Sequence, residues 1–220
     1  MISRRLFLAG SAGLVAPAVG RAAAAPDGVV EVGPNRSIKS VAQAVRTPDA
    51  RTVVVDPGVY RETIDIGMPV TLQAADWQAG RQPSVVIDAR GLRLPQDKAA
   101  ILCRADVVIR GFDVLGATGV NAVNGAGVRN DPGRNVTLED CNLHHSQANL
   151  LVTSGEIVVR RTALHHNTGD GQEHNLYYAS FRNVAPGTLL VEDSWIFHSA
   201  NGNNLKSNAR ATNWSQFRRL

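Results

Sequence analysis

Polar and apolar positions along this chain alternate in short runs that end at glycine, proline or asparagine. The runs "RTVVVDPGVYRETIDI", "MPVTLQA" and "SVVIDARG" are rich in β-branched residues, as β-strands are. One stretch instead has the i, i+3, i+4, i+7 spacing of an amphipathic helix, at Ile38, Val41, Ala42 and Val45. Ser37 is its expected N-cap. The pattern predicts a largely β chain with one short helix near its start.

A repeat begins near residue 100. Four segments align without gaps: "VVIRGFDV" (107–114), "VTLEDCNL" (136–143), "IVVRRTAL" (157–164) and "LLVEDSWI" (189–196). Strand segments of constant length joined by loops of variable length are typical of a β-solenoid, in which each coil stacks on its neighbours.

Period-two alternation predicts the direction of each side chain in this repeat. The third position faces inward and holds Ile109, Leu138, Val159 and Val191. The fourth position faces outward and holds Arg110, Glu139, Arg160 and Glu192. Because stacked strands lie about 4.8 Å apart, these charges are expected to form an alternating ladder.

A second strand follows in each coil. Its inward side chains are predicted to be Val128, Leu150, Leu176 and Leu205, and its outward ones Arg129, Leu151, Tyr177 and Lys206. The residue before each inward position is Gly127, Asn149, Asn175 or Asn204. We expect the stacked asparagines to pass amide hydrogen bonds from coil to coil.

These segments resemble the pectin-lyase-like superfamily of right-handed parallel β-helices. "VVVDPGVYRETIDIGMPVTLQA" (53–74) is similar to its opening coils, and "NVTLEDCNLHHS", "EIVVRRTALHHN" and "LLVEDSWIFHS" resemble later ones. The "HNLYYAS…NNLKSNAR" end resembles that of a bacterial subgroup. The resemblance covers about residues 30–215 and implies an all-β, right-handed parallel β-helix (solenoid) with a short N-terminal capping helix. It also implies a polysaccharide partner, often an acidic one, although this fold serves several activities.

The first residues predict export. Arg4 and Arg5 precede an apolar run over residues 6–19 and a small-residue stretch, so residues 1–24 are expected to be a twin-arginine signal peptide. An ordinary secretory signal or a retained anchor is the alternative. Residues 25–99 are then the N-terminal cap and first coils, and residues 100–220 the repeat coils of a periplasmic or secreted protein. Cleavage lowers the formal charge from +4 to +1, which argues against nucleic acid as a partner.

Cys103 and Cys141 fall in different columns of the predicted register. That placement favours two small buried side chains, although an oxidising compartment would permit a disulfide.

The late coils carry the candidate catalytic residues. Lys206 and Tyr177 are adjacent in the outward column, and a lysine beside a tyrosine suits proton abstraction next to a carboxylate, as in uronate β-elimination. Lys206 would be the base, its pKa lowered by its surroundings, and Tyr177 or His174 the acid. The alternative is that Lys206 is a solvated surface residue and Tyr177 a packing residue.

The substrate carboxylate would need a positive charge. An arginine, with Arg129 as the candidate, can supply it. A Ca²⁺ ion held by Asp170 and Glu173, in the polar insertion "NTGDGQEHN" (167–175), is the alternative. No other cofactor is expected.

Two adjacent positions directly after the repeat segments are mostly histidine and form two columns in the predicted register. Alternation places His145, His166 and His198 inward, where they would form a metal site or a hydrogen-bonded corner ladder. His144 and His165, with Phe197, are placed outward as a stacking platform for sugar rings. Asn204 completes the predicted substrate-binding residues.

Other features leave the activity open. The chain lacks the arginine pattern of pectate lyases, the DPHE-like motif of epimerases and the paired aspartates of polygalacturonases. Coil spacing predicts one further strand at 212–215, and the abrupt end after it is consistent with truncation or with capping by a partner. Three hypotheses remain: a uronate polysaccharide lyase, a non-catalytic polysaccharide-binding envelope scaffold, and an inactive fragment.

Overall fold

The computed structural model describes residues 27–120, 125–169, 173–181 and 183–208, together with the backbone of residues 214 and 215. The predicted signal peptide (1–24) and Asp170 lie outside the described residues.

The described residues form three parallel sheets. Sheet 1 contains β1 (Val29–Val32), β2 (Thr52–Val55), β5 (Val70–Ala74), β8 (Val107–Arg110), β11 (Val136–Glu139), β14 (Glu156–Arg160), β17 (Thr188–Glu192) and β20 (Trp214–Ser215). Sheet 2 contains β3 (Gly58–Tyr60), β6 (Val85–Asp88), β9 (Phe112–Leu115), β12 (Asn142–His144), β15 (Ala163–His165) and β18 (Trp195–Phe197). Sheet 3 contains β4 (Ile64–Ile66), β7 (Ala99–Cys103), β10 (Ala126–Asn130), β13 (Ala148–Thr153), β16 (Leu176–Ala179) and β19 (Leu205–Ser207).

From β2 onward the chain visits sheets 1, 2 and 3 in turn, and each strand pairs in parallel with its counterparts one coil away. Crossover connections between parallel strands are right-handed because of the strand twist. The chain is therefore a right-handed parallel β-helix, as the sequence predicts. β20 pairs with β17, so a strand does begin within the predicted segment 212–215.

The predicted register of sheet 1 is confirmed. Its inward side chains are buried, with Ile109, Leu138 and Val159 at 0% exposure. On the outward face Arg110 Nε lies 2.7 Å from Glu139, and Arg160 bonds both Glu139 (3.1 Å) and Glu192 (2.7 Å). The alternating charges thus form the continuous ladder that the repeat predicts.

Each eight-residue repeat segment is two strands rather than one. Its fifth residue has a positive φ, which turns the chain from sheet 1 to sheet 2; these residues are Gly111 (75°), Asp140 (53°), Arg161 (48°) and Asp193 (48°). Glycine adopts this conformation freely and aspartate tolerates it, whereas arginine rarely does. The left-handed residue shifts the alternation by one position, so that the inward side chains are Val107 and Ile109 before the corner and Phe112 and Val114 after it. A single uninterrupted period of two therefore does not reveal the corner.

The inward placement of His145, His166 and His198 is wrong. These residues have φ values of 52°, 51° and 51°, and all three are exposed. The strands of sheet 2 end one residue earlier, so the left-handed residue that follows breaks the alternation.

The N-terminal helix is shorter than predicted. Helix α1 spans Val41–Ala44 and its N-cap is Ser40, not Ser37. Ser40 Oγ accepts a bond from Gln43 N (3.1 Å), and the Glu62 carboxylate accepts bonds from Ser40 Oγ and the first backbone N–H groups of the helix. The helix packs Val41 and Ala44 against the first coil. No helix in the described part of the chain has the length and hydropathy needed to cross a membrane.

Cys103 and Cys141 are both buried free thiols, as the register predicts. Burial raises the pKa of each thiol to about 12, so neither is a reactive thiolate at neutral pH.

Candidate functional site

The outward face of sheet 3 carries the predicted catalytic row. Strand pairing aligns Arg129 with Leu151, Leu151 with Tyr177, and Tyr177 with Lys206. The predicted adjacency of Tyr177 and Lys206 is therefore confirmed. Arg129 lies two strands from Tyr177, about 10 Å along the solenoid axis.

Most of this face is apolar. Tyr177 packs against a buried cluster made of Ala99, Leu102, Ala126, Ala148 and Leu151. The register makes His174 the next member of the alanine column, because it precedes Asn175 as Ala148 precedes Asn149. A buried histidine thus replaces alanine where the apolar cluster meets Tyr177 and Lys206.

His174 is held in one tautomer. Its Nδ1 accepts a hydrogen bond from the backbone N–H of Asn203 (2.9 Å), so the proton of the neutral ring is on Nε2. The residue is 3% exposed, and its Nε2 has no hydrogen-bond partner in the described part of the molecule. Burial, and then the charge of Lys206, lower the pKa of His174, so at neutral pH the ring is a neutral N–H donor.

Gly202 makes room for this histidine. A Cβ at position 202 would lie 1.8 Å from the Glu173 carbonyl oxygen and 2.7 Å from His174 Nδ1. Only glycine fits there without displacing the ring.

Tyr177 and Lys206 complete a group of donors. The Lys206 ammonium lies 5.4 Å from the centre of the Tyr177 ring, and the His174 ring meets that ring edge-on at 5.5 Å. Tyr177 Oη accepts a bond from Asn208 Nδ2 (2.8 Å), which leaves its own proton to donate. Within the described residues no carboxylate forms an ion pair with Lys206. The arrangement offers N–H and O–H donors and suits an anionic group.

Arg129 is a separate positive group on the same row. It is half-buried, and burial lowers its pKa, while the charge of Asp131 opposes that effect. An arginine remains charged under these conditions.

The predicted Ca²⁺ ligands do not form a recognisable site among the described residues. Glu173 is buried, and its carboxylate lies against Gly169 within the loop. No group of three or more His, Cys, Asp and Glu side chains in the described ranges is arranged to hold a metal ion. Asp170 lies outside those ranges, so its role stays a prediction.

Asn204 belongs to the predicted asparagine ladder. Asn149 Nδ2 donates to Asn175 Oδ1 (2.7 Å), and Asn175 Nδ2 donates to Asn204 Oδ1 (3.0 Å). Asn204 Oδ1 also accepts from Ser199 N (3.1 Å). The ladder is confirmed, and it leaves only the Asn204 amide nitrogen for a ligand.

His144 and His165 lie on sheet 2, on a different face from Tyr177 and Lys206. Their rings stack on each other at 5.2 Å, and His165 stacks on Phe197 at 4.8 Å. His144 Nε2 also bonds Asp113 (2.8 Å). Because these ring faces cover one another, the column offers edges rather than the sugar-stacking faces expected from the sequence.

The structure adds a cleft of 650 Å³ over sheet 2, which the sequence does not predict. Trp195 lies in it and is 53% exposed. One wall is the loop between β5 and β6, held to Asp140 through Trp77 Nε1 (2.9 Å) and Gly80 N (2.7 Å). A tryptophan at an outward position of the repeat is the one sequence signal for it.

Comparisons with known proteins are sparse. No protein-family model matches the chain, and no curated protein matches it. Two solved structures are similar, both crystal structures of the pectin methylesterase from Aspergillus niger, one in its deglycosylated and one in its penultimately deglycosylated form. They are 13% and 12% identical to this chain with a TM-score of 0.38 each, and each match covers 91% of this chain and 93% of the other. A likeness at this level does not assign an activity.

Proposed function

We propose that the protein binds uronate-containing polysaccharide on the outward face of sheet 3. The observation that carries the proposal is the buried Nε2–H of His174, which has no partner among the described residues. The His174 ring meets the Tyr177 ring edge-on, and the Lys206 ammonium lies over the same tyrosine ring. A buried donor without a partner costs about 1–3 kcal/mol, and a ligand oxygen would recover that energy. A carboxylate accepts hydrogen bonds from N–H, O–H and ammonium donors of these kinds.

The rest of the face fits a chain-like ligand. Arg129 lies about 10 Å along the same row and can neutralise a second carboxylate of a polymer. The leucines and alanines between them present an apolar surface to the sugar backbone. We further propose that the chain acts outside the cytoplasm, on the support of the signal-like sequence of residues 1–24.

Uronate β-elimination is the second candidate function, favoured by the contact between Lys206 and Tyr177. Lys206 would take the proton next to the substrate carboxyl carbon, the bond to the leaving oxygen would break, and a carbon–carbon double bond would form. Tyr177 would give its proton to the leaving oxygen. His174 would hold the carboxylate as a neutral donor rather than act as the acid, because its pKa is lowered.

Binding and cleavage can be tested on the same variants. Affinity electrophoresis in gels containing polygalacturonate or alginate should retard the wild-type protein. Lys206→Ala should weaken that binding by about tenfold, the equivalent of one lost charged hydrogen bond. Lys39→Ala is the matched control, because Lys39 bonds only backbone carbonyls near the N-terminal helix. Equal retardation of wild type and Lys206→Ala, or no retardation in either gel, would show that the proposal is wrong.

Ultraviolet absorbance of unsaturated uronate products decides the second candidate. Lyase activity should appear in the wild type and in Lys39→Ala and disappear in both Lys206→Ala and Tyr177→Phe. Retardation without any unsaturated product would reject cleavage and leave a binding protein.

A further inference from the structure

The cleft over sheet 2 has a hollow in its floor. Strand pairing aligns Asn142 with Ala163 and Ala163 with Trp195 on successive strands, all facing outward. The alanine leaves space between the amide and the indole. Trp195 is 53% exposed, and no ring or cation among the described residues stacks on it. An aromatic face therefore borders a concave, preformed space.

The wall of the hollow is rigid because it is built on one carboxylate. The Asp140 side chain is 1% exposed and accepts hydrogen bonds from Trp77 Nε1, Gly80 N, and the Nε (2.8 Å) and Nη2 (3.0 Å) of Arg161. These bonds fix the loop on one side and the guanidinium on the other. A preformed site lowers the entropy cost of binding.

Donors and acceptors remain available in the cleft. Arg161 uses Nε and Nη2 for Asp140, and its Nη1 has no partner in the described residues. The Asp193 carboxylate, at the equivalent corner one coil later, makes no hydrogen bond within the same residues. Of two adjacent sugar hydroxyls, one can accept a hydrogen bond from an arginine and the other can donate one to a carboxylate.

The charges of the lining balance. Arg81 and Arg161 stand against Asp140 and Asp193. The cleft therefore gives no net attraction to an anionic ligand, in contrast to the donors around Lys206. A neutral ligand with one apolar face and several hydroxyls matches it best.

We propose that this cleft is a binding site for a neutral pyranose sugar, whose ring stacks on Trp195 above Ala163 and whose hydroxyls bond Asp193 and Arg161. The site is separate from the uronate site on sheet 3 and does not rest on it. A protein with both sites would hold two chemically different glycan chains on two of its faces.

Isothermal titration of the full chain with cellohexaose, xylohexaose and mannohexaose tests the proposal. At least one of these neutral hexasaccharides should bind the wild type. Trp195→Ala should weaken that binding by about tenfold because the stacking face is lost, whereas Trp195→Phe should retain most of it. Ala163→Leu should block binding by filling the hollow, which gives a second variant with the indole intact.

Two controls separate this site from other effects. Phe181→Ala removes an aromatic side chain of similar exposure (55%) outside the cleft and should leave binding unchanged. Lys206→Ala should also leave it unchanged, so failure here is distinct from failure of the uronate proposal. The proposal is overturned if none of the hexasaccharides binds, or if binding survives both Trp195→Ala and Ala163→Leu. It is equally overturned if hexagalacturonate alone shows the Trp195 dependence.

Discussion

At the scale of single residues, Asp140 shows how one side chain can organise a coil. Its left-handed backbone turns the chain from sheet 1 to sheet 2, and its buried carboxylate ties that corner to the loop of Trp77 and Gly80 and to Arg161. These bonds hold the pKa of Asp140 below its ordinary value, although burial acts in the opposite direction. Aspartate suits the position because it tolerates a positive φ and carries an acceptor.

Replacing this carboxylate should destabilise the protein strongly. Asp140→Ala leaves Arg161 and the Gly80 N–H without their acceptor, and a loss of about 3–5 kcal/mol in the free energy of unfolding is expected. Urea unfolding followed by circular dichroism measures it. Asp193→Ala is the matched control, at the equivalent corner but without hydrogen bonds among the described residues, and should cost less than about 1 kcal/mol. Equal losses in the two variants would contradict the assigned role of Asp140.

Sequence patterns predict some residues of the candidate site and miss others for a physical reason. The outward positions of Tyr177 and Lys206 follow from a period of two, which is a local property. The tautomer of His174 depends on the backbone N–H of Asn203, and the close approach depends on Gly202, both from the next coil. Such contacts are set by how loops of different lengths stack, which the repeat does not encode.

At the scale of elements, the asparagine ladder joins the corners of the late coils. Its middle member, Asn175, is fully buried and makes bonds to Asn149, Asn204, the Phe197 carbonyl and the Asn167 N–H. The terminal member, Asn204, is exposed. The two positions therefore differ in how many groups would be left unpaired by a substitution.

Asn175→Leu should cost about 2–4 kcal/mol in unfolding free energy, because it leaves several buried polar groups without partners. Asn204→Leu should cost less than half as much, since water can replace the lost bonds at an exposed rung. Thermal and urea unfolding of both variants provide the comparison. A larger loss for Asn204→Leu would show that the ladder does not stabilise the coils as described.

The histidine column of sheet 2 should make stability depend on pH. Burial, together with the neighbouring histidines, lowers the pKa of His165 to about 4 from an ordinary 6.5, while Asp113 opposes this shift, and the pKa of His145 is also lowered. The unfolded chain then binds more protons than the folded one between these values. Stability is full above pH 6.5 and is lost as the pH falls toward 4.

Melting temperatures between pH 7.5 and 4.5 test this expectation. The wild type should lose stability across the window, by on the order of 2–4 °C for each kcal/mol. His165→Gln should lose less. Arg90 lowers the pKa of Asp88 to about 2, so the stability that this carboxylate contributes is lost only as the pH falls below its ordinary 3.8, outside the range tested. Identical pH profiles for wild type and variant would contradict the assignment to His165.

At the scale of the whole molecule, the parallel β-helix could be predicted from the sequence, and the distribution of its surfaces could not. The repeat sets the inward positions Ile109, Leu138 and Val159 and hence the core. It does not show that each segment bends at its fifth residue, so it cannot tell that Arg160 and His165 lie on different sheets. The donor-rich face lies on sheet 3, whereas the charge-balanced cleft lies over sheet 2.

Of the two faces, the outward face of sheet 3 is the one proposed to bind an anionic sugar, through His174, Tyr177 and Lys206. Two-dimensional ¹⁵N–¹H spectra of the imidazole rings, recorded during titration with hexagalacturonate, test it most directly because they report tautomer and ligand contact together. We expect His174 to be the Nε2–H tautomer in the free protein, and its Nε2 signals to move on titration while those of His165 stay unchanged. A His174 proton on Nδ1, or hexagalacturonate moving the signals of His165 while those of His174 stay unchanged, would show that the proposed site is wrong.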